Sequence, residues 1–148
     1  MPWRSNENDI RCVFLKRRLE KEIVKAIKKD HTHFITGMAL GVDTYAAQIL
    51  LNLKNKYHIT VEAAVPCRSQ PDKWNAADRA RYSELLAGCD IVTVLSEEYT
   101  PDCMYKRNQY MVDNSDMLVA VYDGKGGGTG QTVKYAESLG KEMVILKP

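Results

Sequence analysis

What this 148-residue chain has little of is the first guide to it. Uninterrupted apolar runs are of the order of five residues, far short of the ~18 to 20 needed to cross a bilayer, and the opening Met-Pro-Trp-Arg-Ser-Asn-Glu-Asn-Asp is polar, unlike a secretory leader. A cytoplasmic protein with no membrane partner is the expectation. Net charge is small: 21 Lys and Arg against 19 Asp and Glu leave +2, which excludes a strongly cationic nucleic-acid binder. Cysteine is sparse and badly spaced for metal. Cys12, Cys67, Cys89 and Cys103 form no C-x-x-C pair, and His31, His33 and His58 lie far from most of them. Neither a disulfide framework nor a zinc site is expected, and the thiols read as reduced and mostly structural. With 45% hydrophobic and 27% charged residues the composition is that of a folded domain, and the length suits one domain spanning residues 1–148.

Helical and strand periods alternate along almost the whole chain. Cys12, Leu15, Leu19, Ile23, Ala26 and Ile27 keep helical spacing, with Lys16, Arg17, Glu20, Lys21, Lys25 and Lys28 on the other face. Strands are predicted at His33–Thr36, Thr60–Val65, Ile91–Leu95, Met117–Tyr122 and Glu142–Leu146. Helices are predicted at Asp43–Lys56, Asn75–Ala87, Met104–Val112 and Gln131–Leu139, with Asn75 and Asp78 placed as a capping pair. This order predicts an α/β fold, a three-layer Rossmann-like sandwich around a mainly parallel five-stranded sheet.

Three segments carry the chemistry. Thr36-Gly37-Met38-Ala39-Leu40-Gly41-Val42-Asp43 turns from a strand into a helix, where glycines admit close backbone approach and the helix start offers unpaired N–H donors. A tight turn with Asp43 near the N-cap explains the same residues without a ligand. Asp123 to Thr132 follows another strand and holds five glycines between Gly124 and Gly130, a costly composition for a passive connector. It lacks the Gly-Lys-Ser/Thr triplet of a Walker loop, and the first turn lacks the dinucleotide G-x-G-x-x-G. Arg107 and Asn108 stand on a helix after a strand and loop, at the edge where parallel sheets bind ligands. A solvated helix arginine explains that residue nearly as well.

G-x-A-x-G-V-D (Gly37 to Asp43), M-x-x-R-N (Met104 to Asn108) and D-G-x-x-G-G-T-x-x-T (Asp123 to Thr132), in this order, resemble the SLOG superfamily of Rossmann-like nucleotide-binding domains. That group includes DNA-processing protein A and the LOG-type phosphoribohydrolases. Pro66-Cys67-Arg68 with Gln70 and Trp74, Asp78-Arg79-Ala80-Arg81-Tyr82, Val94-Leu95-Ser96 and Tyr99-Thr100-Pro101 most resemble its YpsA-like family. The resemblance covers essentially the whole chain. It implies a nucleotide or nucleotide derivative, ADP-ribose-like or cyclic, bound in a sensor or adaptor role. The ligand residues it implies are Gly37, Met38, Ala39, Gly41, Asp43, Arg68, Trp74, Arg79, Arg107, Asn108, Gly126, Gly127, Gly128, Thr129 and Thr132. Trp74 is read either as a stacking platform or as a plug at the edge of the core.

Two other classes are weighed. LOG-type N-glycosidic hydrolysis would place Arg107 on the catalytic arginine, but Gln131, Thr132, Val133 and Lys134 stand where the threonine and acidic residues belong, and Glu137 lies a turn too late. No catalytic residue, metal or cofactor beyond the nucleotide-like ligand is therefore expected. Single-stranded DNA binding would use Lys16, Arg17, Arg18, Lys21, Lys25, Lys28 and Lys29, a set that a solvated helix face explains better. Cys67 and Cys103 on ligand-side loops raise oxidation sensing as a remote further reading. In the YpsA-like family a strand ending in Gly-His-Arg usually precedes a segment like Pro2 to Glu7. Its lack here leads us to expect unpaired strand edges and self-association as a homodimer or higher oligomer.

Overall fold

The structure, a computed structural model, describes residues 1–148. Helix α1 (Ile10–Lys28) opens at Asp9, whose carboxylate binds the Arg11 guanidinium and accepts the Arg11 backbone N–H at 2.9 Å. These bonds hold the Asp9 pKa at about 2. Its stripe of Cys12, Leu15, Leu19, Ile23 and Ala26 is buried, as the spacing predicts, because residues three and four apart share one face.

The remaining elements alternate: β1 (His33–Thr36), α2 (Val42–Leu53), β2 (Thr60–Val65), α3 (Ala76–Gly88), β3 (Ile91–Val94), α4 (Cys103–Asp113), β4 (Met117–Val121), α5 (Gly127–Ser138) and β5 (Glu142–Leu146). Asn75 caps α3 by accepting the Asp78 N–H at 2.8 Å, the predicted pair. Helix α5 departs from expectation by starting at Gly127 rather than Gln131. Gly126 and Gly127 take φ of 86° and 81°, which turn the chain directly off the strand, and the rest of the glycine run becomes the first helical turn. Gly130 belongs there for packing, since a Cβ would stand 2.8 Å from the Tyr122 hydroxyl.

All strand pairings are parallel, but the strands make two sheets instead of the one expected. The order is β1-β2-β3 in one and β4-β5 in the other. Helices hold the halves together: α1, packed on α2 and β5, spans one side, and α4, packed on α5 and β2, spans the other. The three-layer arrangement is thus kept. Between β1 and β4 lies a cavity of about 780 Å³, lined by residues of both strands and of α1, α2, α4 and α5. The main core lies under α1 and α2, where Leu15, Leu19, Ile23, Leu50, Val61 and Val121 meet. A second cluster of Met38, Ala47, Ala63, Val65, Tyr82 and Leu85 fills the space under α3. All four cysteines are free, and Cys12, Cys67 and Cys103 are buried. No helix is long and apolar enough to cross a membrane.

Trp3 joins the first core at 3% exposure, with its indole N–H donating to the Tyr45 hydroxyl at 3.2 Å. The polar opening segment is therefore anchored by one large side chain. Trp3→Ala is expected to cost about 3–5 kcal/mol by emptying this site. Thermal unfolding by circular dichroism checks it, and a Tm within a degree of the parent would contradict the anchoring role.

Candidate functional site

The turn from β1 into α2 is shaped by its own side chains. Thr36 donates to the Asp43 carbonyl at 2.9 Å, the Thr44 hydroxyl to the Ala39 carbonyl at 2.9 Å, and the Ala39 N–H to the Asp43 carboxylate at 3.2 Å. Asp43 therefore braces the loop from the first turn of α2. The N-cap is Gly41, with φ of 89° and no side-chain acceptor, so the first amides of α2 carry no side-chain cap. Met38 takes φ of 59° and is buried at 1% exposure in the second core cluster.

Arg107 is the central group. It is buried, donates from Nη1 to the Gly37 carbonyl at 2.5 Å and from Nε to the Asn108 side chain at 2.8 Å, and reaches only the Met104 sulfur, at 3.8 Å, with Nη2. Burial pulls its pKa down, and the nearby Asp43 carboxylate opposes that pull. Burial likewise pushes the Asp43 pKa up, against Arg107 and the Ala39 N–H. Gly37 makes the arrangement possible. A Cβ there would lie 2.7 Å from Arg107 Nη1 and 2.8 Å from the Asp43 carboxylate. Arg107 thus ties α4 to the β1–α2 turn.

On the other side of the cavity, Asp123 accepts the Lys125 N–H at 2.9 Å and the Tyr122 hydroxyl accepts the Gly126 N–H at 3.1 Å, closing the glycine loop. Gly126 caps α5, again with no side-chain acceptor. A Cβ at Gly126, Gly127 or Gly128 would meet nothing within 4 Å, so open space stands over this loop. Thr132 donates to the Gly128 carbonyl at 3.0 Å within the helix.

Of the residues anticipated from sequence, Ala39, Gly41, Asp43, Arg107, Asn108, Gly128, Thr129 and Thr132 line the cavity between β1 and β4. Gly37, Met38, Gly126 and Gly127 adjoin those lining residues in the same two turns. Arg68, Trp74 and Arg79 do not line it. Arg68 pairs with Glu97 at 2.5 Å on the surface, and Arg79 donates to the Trp74 carbonyl at 2.6 Å. Trp74 sets its ring edge-on against Tyr82, centroids 5.4 Å apart, and packs on the second core cluster. On α1 and its C-cap, Lys16 pairs with Glu7, Lys25 with Glu22 and Lys29 with Glu142, while Arg17, Arg18, Lys21 and Lys28 make no ion pair. No group of three or more His, Cys, Asp or Glu side chains converges as a metal site would.

Residues 5–143 match the model of the YspA SLOG family. The uncharacterized SPbeta prophage-derived protein YoqJ of Bacillus subtilis is 35% identical over 150 residues, covering 90% of this chain and 88% of its own length. A UPF0398 protein of Halalkalibacterium halodurans is 29% identical over 74% of this chain, and one of Lactobacillus acidophilus 26% over 80%. In those two the match spans 60% and 65% of the relative's length.

Sequence reasoning passed over a second polar cluster beside the cavity. Glu62, on β2, is 4% exposed and accepts from His33 Nε2 at 2.7 Å, from the Thr93 hydroxyl at 2.8 Å and from the Tyr110 hydroxyl. A charged residue inside the apolar run Thr60 to Val65 was the available signal. Tyr110 stands one turn beyond Arg107, so the cluster fixes the same helix to the sheet. Burial pushes the Glu62 pKa up, but the bonds from Tyr110, His33 and Thr93 outweigh it and leave the carboxyl below its ordinary 4.5. A depressed folded-state pKa means stability that is present above the ordinary value and lost as pH falls through the folded one. Glu62→Gln is expected to cost about 1–3 kcal/mol at pH 7, shrinking as pH falls below the ordinary 4.5. Urea unfolding at pH 7 and pH 3.5 reads both, and an equal cost at the two pH values would contradict it.

Proposed function

Because this chain belongs to the YspA SLOG family, we propose that it binds a nucleotide or nucleotide derivative, as a sensor or adaptor, at the carboxyl edge of its strands. One observation carries the reading. Two helices, α2 and α5, begin on opposite sides of one cavity, each behind a positive-φ glycine and each without a side-chain cap. Uncapped helix starts present N–H donors and a positive dipole end, the complement of a phosphate. Two such starts across a gap suit a ligand with a diphosphate or two separated phosphates. Thr129 and Asn108 supply neutral polar groups at the same mouth. Arg107 acts in this reading by holding the Gly37 carbonyl, which sets the β1–α2 turn, and by lending positive charge from below. Binding is favoured over N-glycosidic hydrolysis because Gln131, Thr132, Val133 and Lys134 follow the glycines, with no carboxylate to activate water.

Two glycine variants separate ligand approach from folding. Gly128→Ala puts a methyl group into open space at a position of ordinary φ, so the Tm is expected to hold or rise slightly, while ADP-ribose affinity by calorimetry falls at least ~10-fold. Gly37→Ala drives a Cβ into Arg107 and is expected to lower both Tm and affinity. Unchanged affinity in both variants would move the site elsewhere. Incubation with nucleoside monophosphates is expected to release no free base by chromatography; turnover near ~1 s⁻¹ would replace the binding reading with a hydrolase.

A further inference from the structure

We propose that Met104 is an oxidation site: a peroxide converts its thioether to a sulfoxide, whose oxygen bonds Arg107 Nη2 and lowers anion affinity beside it. Arg107 holds a donor without a matching acceptor. The residue is 5% exposed, and its Nη1 and Nε donate to oxygens at 2.5 and 2.8 Å. Nη2 has only the Met104 sulfur, at 3.8 Å. A thioether is a weak acceptor, so a buried guanidinium N–H facing one forgoes most of a charge-assisted bond. Residues three apart on a helix share a face, and α4 itself therefore keeps the two side chains together. The same sulfur is open to solvent. Met104 is 42% exposed, whereas Met38 is 1% exposed and Met111, Met117 and Met143 are half-buried. Met1 is the one other exposed methionine, and no arginine donates to its sulfur.

Hydrogen peroxide supplies both the oxygen and the oxidising equivalents. A sulfur lone pair attacks one peroxide oxygen, and the S–O bond forms as the O–O bond breaks. The departing hydroxide takes the proton left on the transferred oxygen and becomes water. Sulfur loses two electrons, and the peroxide gains them. Arg107 keeps its protons throughout, and its positive charge favours the charge separation in this step. The product replaces an apolar thioether with a polar S–O group. Three rotatable bonds let the side chain turn that oxygen to Nη2, at the ~2.7–2.9 Å of a charge-assisted bond, with α4 left in place. Met104 and Arg107 both line the cavity with the starts of α2 and α5, so the S–O dipole occupies Nη2 and offsets its charge where an anion would meet it. This last consequence rests on the anion site proposed above; the modification itself does not.

The test treats the intact chain with limiting hydrogen peroxide and maps the product by mass spectrometry of its peptides. Met104 is expected to gain an oxygen at least ~3-fold faster than Met1, because the guanidinium favours the step. In the isolated singly oxidised chain the side-chain nitrogen resonances of Arg107 are expected to shift by NMR, while the Tm holds within ~2 °C. Met104→Leu removes the sulfur and is expected to show no Arg107 shift under the same treatment. ADP-ribose is expected to bind at least ~5-fold more weakly to the oxidised chain, and likewise to Met104→Gln, whose amide carbonyl is a fixed acceptor of similar reach. Oxidation of Met104 no faster than Met1, unshifted Arg107 resonances or a lower Tm overturns the proposal. Equal ADP-ribose affinity before and after oxidation also overturns it. A parent chain that binds no ADP-ribose overturns the ligand reading instead, and the oxidation rate and Arg107 resonances still decide the modification.

Discussion

One buried guanidinium organises the candidate site. Arg107 gives up most of its hydration to donate into the Gly37 carbonyl, and an arginine so placed is tolerated only where its donors find acceptors and a countercharge lies near. Asp43 is that countercharge and is itself committed to the Ala39 N–H. The β1–α2 turn, the start of α2 and the middle of α4 are thereby made one unit. Gly37 is the residue that leaves room for it, and its importance is a matter of space rather than of unusual backbone angles.

The same helix is fastened a turn later by Tyr110 to Glu62, which also gathers His33 and Thr93. The two fastenings differ in kind. A cation bound to a carbonyl on one side and a carboxylate accepting three donors on the other both bury charge against hydrogen-bond partners, and each would be costly to leave half made. Together they hold α4 against the three-stranded sheet, while its packing on α5 reaches the two-stranded one. The halves of the fold are thus joined through helices, with Tyr135 of α5 donating to Asp113 at the end of α4 at 2.6 Å as a further tie.

This division gives the cavity a mouth and a depth of different character. Its mouth is made of helix starts, glycines and hydroxyl groups, which suit an anion. Its depth is made of strand edges and apolar side chains. The first depends on turns that each strand carries with it. The second exists only because β1 and β4 are not neighbours in a ladder.

Much of this was legible in the sequence. The alternation of elements, the buried stripe of α1, the Asn75 cap and the two glycine turns follow from periodicity and local stereochemistry, which act over a few residues and are written there. Other features were decided in three dimensions. Whether Arg107 faces solvent or a carbonyl depends on Gly37, 70 positions away in the chain. Trp74 and Arg68 share a polar connection with no mark to show that one packs on Tyr82 and the other meets Glu97. Even the start of α5 shifted, because a glycine run reads as a loop until a strand end and Tyr122 fix its first turn. The sequence by itself determined the layers and the turns, since those need only neighbours along the chain. Tertiary structure alone decided the split into two sheets, the fate of each charged side chain and the shape of the cavity, because long-range pairing depends on which distant groups reach one another first and satisfy each other best.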